Sequence, residues 1–245
     1  MSRIVFGVHP VEELLARRGA QVSALFVAHR GQHGPLVQRA EARQIPVSTL
    51  AAAELDGLCQ GGNHQGVAAT VGHYPYLDLE QLLDRVGQGG GAPLLVAADS
   101  LMDPQNLGSI IRTSVVLGVD GLVLPRDRSV PITPTVVRVS AGGTEHLACA
   151  QVTNLARSLA RLREAGLWVA GTVERGGVHP ADAALDGPLV LVVGSEQKGI
   201  RPLVLKQCDI QLTVPSAGGI ASLNVAAATA VVLYEIARQR RIHST

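Results

Sequence analysis

Apolar and polar positions in this chain alternate between two periods. Short aliphatic runs at 22–28, 67–71, 94–98, 121–124, 167–172, 189–193 and 210–214 predict strands. Runs 94–98 and 189–193 lack polar alternation, the pattern of strands buried on both faces of a parallel sheet. Between the runs, apolar residues at helical spacing predict helices over 36–43, 51–58, 107–117, 154–165 and 223–240. Gly118 and Gly166 stand where two of these should stop. A helix is expected to start near Val11, with Glu12 and Glu13 in its first turn, and another near Thr135. Residues 4–7 read as a short strand or an entry loop, and 46–48 as a short strand.

Strands alternating with helices imply an α/β fold. Tyr74-Pro75-Tyr76 and the glycine-rich stretch from Gly87 to Pro93 break the pattern, with a helix of about two turns between them. The expected organisation is a small domain over 1–73, a linker over 74–92 and a larger domain over 93–245.

Composition narrows the function. The chain has 245 residues, 47% of them hydrophobic, and a net charge of +1, so bulk electrostatics do not announce nucleic-acid binding. Aromatics make up only 2%, which argues against an RNA binder built on aromatic stacking platforms. Of the 21 basic residues only Lys198 and Lys206 are lysines. The arginine excess suits phosphate recognition and equally suits a GC-rich genome. Cys59, Cys149 and Cys208 are far apart without C-x-x-C spacing, so buried free thiols are expected rather than a zinc site or disulfides. No signal-peptide pattern and no apolar run of about 18 residues is present. The expectation is a cytoplasmic protein.

Chemistry concentrates in three short motifs of the C-terminal half. They are Asn106-Leu107-Gly108-Ser109-Ile110-Ile111-Arg112, Gly194-Ser195-Glu196-Gln197-Lys198-Gly199, and Val214-Pro215 followed by Ser222-Leu223-Asn224-Val225. Each lies at a predicted strand end or helix start, and open α/β sheets gather ligands at the carboxyl ends of strands. Asn106 is suited to cap a helix. Arg112 falls within an apolar helix, where it needs a partner, a pocket or a route to solvent. Gly194 permits close approach of a ligand, although the motif is also compatible with an ordinary strand-to-helix turn. The glycine-rich loop through Gly218 can wrap a flat ligand, and Ser222 or Asn224 can cap the helix that follows. No Walker A, GxGxxG, HExxH or G-x-S-x-G pattern occurs, and no histidine falls in the three motifs. His146, beside Glu145, reads as a satisfied structural histidine.

In this order the motifs resemble the SpoU/TrmH family of ribose 2′-O-methyltransferases, within the SPOUT superfamily. The N-x-G-x-x-x-R, G-x-E-x-x-G and S-L-N signatures all match. Gly7-Val8-His9-Pro10-Val11 and His64-Gln65-Gly66-Val67 are similar to the family's N-terminal RNA-binding module, which is like ribosomal protein L30e. Residues 99–108, 125–129 and 152–157 resemble the subgroup that methylates a guanosine ribose of 23S ribosomal RNA. Thr113, where alanine is usual, and Ala226 and Ala227 are mild departures.

The resemblance implies a C-terminal domain with a deep trefoil knot, a rare exception to unknotted topology. It implies a homodimer that uses S-adenosylmethionine and no metal, with residues of both subunits near the site. Gly194, Val214, Leu223 and Gly218 would hold the cofactor, and Arg112, Asn106, Glu196, Ser222 and Asn224 fall on the catalytic positions. Arg126, Arg128, Arg138 and Lys198 are the candidate RNA contacts; the arginines are equally compatible with solvated ion pairs. Arginine stays protonated, so Arg112 suits phosphate binding and alkoxide stabilisation better than proton abstraction. Asn106 or Glu196 would orient it. Rival readings are an enzyme acting on transfer RNA, an antibiotic-resistance methyltransferase, and a non-catalytic RNA-binding or ribosome-assembly factor.

Overall fold

Two sheets organise the chain. The computed structural model describes residues 2–218 and 222–242. In order the elements are β1 (Arg3–Phe6), α1 (Val8–Arg18), β2 (Val22–Val27), α2 (Gly34–Glu41), β3 (Val47–Thr49), α3 (Ala52–Leu58), β4 (Val67–Val71), α4 (Leu79–Gly87), β5 (Leu94–Ala98), α5 (Pro104–Val116), β6 (Gly121–Pro125), α6 (Pro134–Val139), β7 (Ala148–Val152), α7 (Leu155–Glu164), β8 (Trp168–Thr172), β9 (Leu189–Val193), α8 (Pro202–Leu205), β10 (Ile210–Leu212) and α9 (Val225–Ile242). The fold class is α/β.

The chain divides into two compact units. The first takes residues up to Pro75 together with Ile132–His146; the second takes Tyr76–Pro131 and the chain from Leu147 onward. This differs from the expected partition in two places. Within the expected linker, α4 buries Leu82 and Val86 in the core of the second unit, capped by Asp78, whose carboxylate accepts the Gln81 amide at 2.8 Å. Residues 132–146, expected in the second domain, pack with the first unit. There the buried Glu145 carboxylate pairs with Arg18 at 3.2 Å and Arg3 at 3.6 Å, and both guanidinium groups lie over the Tyr74 ring. The Tyr74 hydroxyl donates to the Thr144 carbonyl at 3.1 Å. His146 meets Glu13 at 2.6 Å, not its neighbour Glu145.

In the first unit the strand order is β1-β4-β2-β3, with β4 antiparallel to both β1 and β2 and β3 parallel to β2. The helix expected at Val11 starts three residues earlier, at Val8, so Glu12 and Glu13 fall beyond its first turn.

The second sheet has the order β10-β8-β9-β5-β6-β7, and every pair is parallel. Its central strands β5 and β9 are buried at every position, as their unbroken aliphatic runs require. Leu95, Ala97, Val190 and Val192 form one cluster with Leu82 of α4 and Leu155, Leu159 and Leu162 of α7. The edge strand β7 was not expected, because Ala-Cys-Ala-Gln-Val carries little β-branched or aromatic signal.

From β5 the chain moves to β6 and β7 on one side, then returns to β8 and β9 on the other. The switch point lies between β5 and β9, where an open parallel sheet leaves a crevice at its carboxyl edge. The Asp99 amide donates to the Val193 carbonyl at 2.7 Å there, extending the pairing to the mouth of the crevice. The segment 214–224 expected to thread the knot includes Gly219, Ile220 and Ala221, which lie outside the described residues. Among the described residues no helix is long and apolar enough to cross a membrane.

Candidate active site

The loop after β5 reaches α5 through Asp103 and Pro104. Asp103, not Asn106, is the cap: its carboxylate accepts the Gln105 amide at 2.8 Å, and proline occupies the first helical position. The helix therefore starts a turn earlier than the sequence suggested, and the Asn106 side chain is released from capping. Its amide donates to Glu196 on the loop after β9. Its oxygen accepts from the Asn224 amide at 3.0 Å. Asn224 in turn caps α9, its oxygen accepting the Ala226 amide at 2.9 Å. One side-chain chain, Glu196–Asn106–Asn224, thus ties together the three motifs.

Beside it lies a cavity of about 430 Å³. Gly194, Glu196, Lys198, Val214, Ser222 and Leu223 line it, with Thr172, Ile200, Leu212 and Ala228 among the remaining walls. Its lining comes from the carboxyl ends of β8, β9 and β10 and the start of α9. Lys198, expected among RNA contacts, lines this cavity. Gly218 is exposed and is not among the described lining residues.

Gly194 was expected to make room for a ligand. The chain itself needs that room: a Cβ there would collide with the backbone of Gly199 and Ile200. The loop closes through paired bonds, Ser195 N–H to the Gly199 carbonyl at 3.1 Å and Gly199 N–H to the Ser195 carbonyl at 2.8 Å. Gly199 sits at φ 62°, in the left-handed region, which completes the tight return.

Asp99 is a structural anchor that the motif reading missed. Its fully buried carboxylate accepts the Arg201 backbone amide at 2.8 Å and the Arg201 guanidinium at 2.6 and 2.7 Å. It fixes the far end of the loop that carries Glu196. The available signal was a carboxylate placed directly after a fully apolar strand, where an ionised group must find partners.

Arg112 is exposed on α5, and no hydrogen bond or ion pair joins it to the described residues. Neither Asn106 nor Glu196 holds it, because those two hold each other. Four residues on, Val116 is 76% exposed on the same helix face. Arg126 and Arg128 are exposed on the loop after β6. Ser129 Oγ and Val130 N–H anchor that loop to the Leu101 carbonyl at 3.2 and 2.8 Å. Arg128 has φ 58°, a conformation that costs a non-glycine residue about 1–3 kcal/mol. Arg138 lies half-buried on α6, in the first unit.

Within the first unit, the Gln65 side-chain oxygen accepts the Val8 amide at 3.1 Å, joining the two N-terminal motifs. His64 Nδ1 accepts the Gly66 amide at 3.0 Å, which leaves Nε2 as the donor to Asp56 at 3.1 Å. Burial pushes the Cys59 thiol up to about 11 and Cys208 to about 12, so neither is a ready nucleophile. Among the described residues no group of three or more His, Cys, Asp or Glu side chains is placed to hold a metal.

A model of the SpoU rRNA methylase family matches residues 93–234. The chain belongs to the SpoU methylase family. A second model, for the substrate-binding domain of RNA 2′-O-ribose methyltransferases, matches residues 4–77. Among relatives, the 23S rRNA (guanosine-2′-O-)-methyltransferase RlmB of Pseudomonas aeruginosa is 42% identical over 96% of each chain. An uncharacterised tRNA/rRNA methyltransferase of Synechocystis is 44% identical over 97% of this SpoU-family chain, which spans only 62% of that relative. The SpoU methyltransferase AviRb of Streptomyces viridochromogenes superposes with a TM-score of 0.84 at 27% identity, covering 99% of this chain and 91% of that one. AviRb in complex with AdoMet gives 0.77 at 28% identity, covering 98% and 91%.

Proposed function

We propose that this SpoU-family protein transfers a methyl group from S-adenosylmethionine to the 2′-hydroxyl of a guanosine ribose in 23S ribosomal RNA. The observation that carries the reading is the Glu196–Asn106–Asn224 chain at the switch point, whose Glu196 also lines the cavity at the ends of β8, β9 and β10. The RlmB relative, similar over nearly the whole chain, supports ribosomal RNA as the substrate.

The cavity suits the cofactor. Its volume lies in the range of about 300–1,000 Å³ common to small-molecule sites. Leu212, Val214, Leu223 and Ile200 offer apolar surface, while Glu196, Ser222 and Lys198 bring polar groups to the same cavity. S-adenosylmethionine, once bound, supplies a sulfonium methyl group that needs no metal.

This chain's own residues then align and stabilise. Glu196 is held through one carboxylate oxygen by Asn106, which leaves the other to accept the hydrogen bond of the ribose hydroxyl and take its proton as the methyl group leaves the sulfonium. Asn224 fixes Asn106 and the start of α9 together, so the acceptor side is preorganised. Arg112, lacking an internal partner, supplies a planar charged fork for the RNA phosphate and the developing alkoxide. Arg126, Arg128 and Arg138 add phosphate contacts, and the module over 4–77 reads RNA shape.

The protein acts as a homodimer in this reading. Val116 on α5 and Val231 and Tyr234 on α9 are exposed apolar residues of two helices packed on each other. Covering them with a second copy brings Arg112 of one protomer to the partner. Work on ribosomal RNA places the enzyme in the cytoplasm.

The test is incubation of the protein with labelled S-adenosylmethionine and unmodified 23S rRNA, with tRNA in parallel. Alkali-resistant label at one guanosine of 23S rRNA is expected. Label in tRNA alone replaces the substrate, and absence of cofactor binding overturns the enzymatic reading.

A further inference from the structure

A second cavity opens at the same carboxyl edge of the sheet. Its volume is about 750 Å³, and Pro125, Asp127, Arg128, Thr153, Asn154 and Leu203 are among its lining residues. It sits at the ends of β6 and β7, whereas the cofactor cavity sits at the ends of β8, β9 and β10. The segment from Gly199 to Leu205 separates the two. Ile200 lines one and Arg201 the other.

We infer that this cavity holds the RNA nucleotide next to the methylated one. The inference rests on the proposed RNA methylation and deepens it. Four observations carry it. First, the partition is one short segment thick, so a strand with its target ribose at the first cavity continues into the second. Second, the lining carries donors suited to a phosphate. Arg128 has no hydrogen bond or ion pair to the described residues. Arg201 is clamped through Nε and Nη2 to Asp99, which leaves Nη1 on a guanidinium that cannot swing away.

Third, groups that read a base edge line the same cavity. The Asp127 carboxylate accepts from a base amino or imino group, the Thr153 hydroxyl donates or accepts, and the Asn154 NH2 donates while its oxygen caps α7 by accepting the Arg157 amide at 3.1 Å. Fourth, Leu203 on α8 is 70% exposed at this cavity. A large apolar side chain in water beside cationic donors matches a nucleotide, which is flat and apolar on its base and anionic on its phosphate. A free small anion would not use both features.

The experiment uses the full-length protein and 23S rRNA. The KM for RNA, its salt dependence and the affinity for S-adenosylmethionine are measured for Arg128→Ala, Leu203→Ala and Leu203→Phe. Arg128→Ala raises the RNA KM about tenfold and lowers the salt slope by about 0.7–1, the signature of one lost phosphate contact. Leu203→Ala raises KM at unchanged salt slope, and Leu203→Phe lowers it below wild type by offering a better stacking surface. Cofactor affinity stays constant in all three. In parallel, 4-thiouridine placed beside the target guanosine crosslinks to peptides spanning 125–128, 153–156 or 201–204.

Wild-type RNA KM in Arg128→Ala and both Leu203 variants, with crosslinks elsewhere, overturns the subsite while the methylation reading stands. Crosslinks at these peptides and the expected salt slope in RNA binding, with no methyl transfer to any RNA, uphold the subsite and sink the reaction. Failure of the wild-type protein to bind RNA overturns both.

Discussion

The side-chain amide of Asn224 donates to the side-chain oxygen of Asn106 at 3.0 Å, although 118 positions separate the two residues in sequence. That bond joins the start of α9 to the first turn of α5, and Asn106 passes the connection on to Glu196. A single asparagine therefore serves two loops. It can do so because Asp103 has taken over the capping of α5.

Asn106→Ala is expected to lower kcat about 10²–10³-fold, the size of effect seen when one preorganised donor is lost from a catalytic site. Asn106→Asp should be no better, because it replaces the donor to Glu196 with a second carboxylate. Single-turnover rates with saturating RNA, alongside cofactor affinity, check this. A variant with wild-type turnover removes Asn106 from the machinery.

Gly194→Ala should destabilise the protein by about 2–3 kcal/mol. The added methyl meets backbone of Gly199 and Ile200 rather than a flexible side chain, so overpacking has little room to relax. A thermal melt measures it. Cofactor affinity should fall as well, since the displaced loop lines the cavity.

Much of this was legible in the chain, for identifiable reasons. The runs at 94–98 and 189–193 became β5 and β9 at the stated residues, because full burial demands uninterrupted aliphatics. The motif residues Asn106, Glu196 and Asn224 meet in space, as their common placement at strand ends and helix starts implied. What escaped was long-range. Nothing local in residues 132–146 says that Glu145 will be buried against Arg3 and Arg18, so the packing of this segment with the first unit is not legible in the sequence. Strand β7 carried too weak a propensity to be seen, although backbone pairing with β6 holds it. The Asp99–Arg201 pair spans 102 positions, beyond any periodicity.

Asp99→Ala is expected to destabilise the protein by about 3 kcal/mol, the low end for breaking a buried ion pair. The low end applies because the Arg201 side chain is 37% exposed and can recover water once its partner is gone. Asp99→Asn keeps an acceptor for the Arg201 amide and should lose less. Denaturant unfolding of both variants, with cofactor affinity read in parallel, distinguishes an anchor of the 194–201 loop from a dispensable carboxylate.

Arg112→Lys should leave the melting temperature unchanged, because an exposed side chain without an internal partner contributes little to stability. Turnover should nevertheless fall about 100-fold or more if the planar fork is required. Full activity in the lysine variant would show that a point charge suffices.

Acid should weaken the anchoring of α9. The bond from Arg238 holds the Glu235 carboxylate down at about 2, with further help from Gln239, against an ordinary value of 4.5. Gln239 also donates to the Pro180 and Ala183 carbonyls and accepts the Leu185 amide, so Glu235 supports a buried tie between α9 and residues 180–185. A carboxylate with a depressed folded-state value contributes stability that is complete above about 4.5 and is lost as pH falls toward about 2. Glu235→Gln retains an acceptor for Gln239 but not the charge, so it should be less stable than wild type at neutral pH and converge with it near pH 2. Unfolding measured for both proteins across this range checks the sign. Carboxyl NMR should find Glu235 titrating with a midpoint near 2, and a midpoint near 4.5 would dissolve the argument.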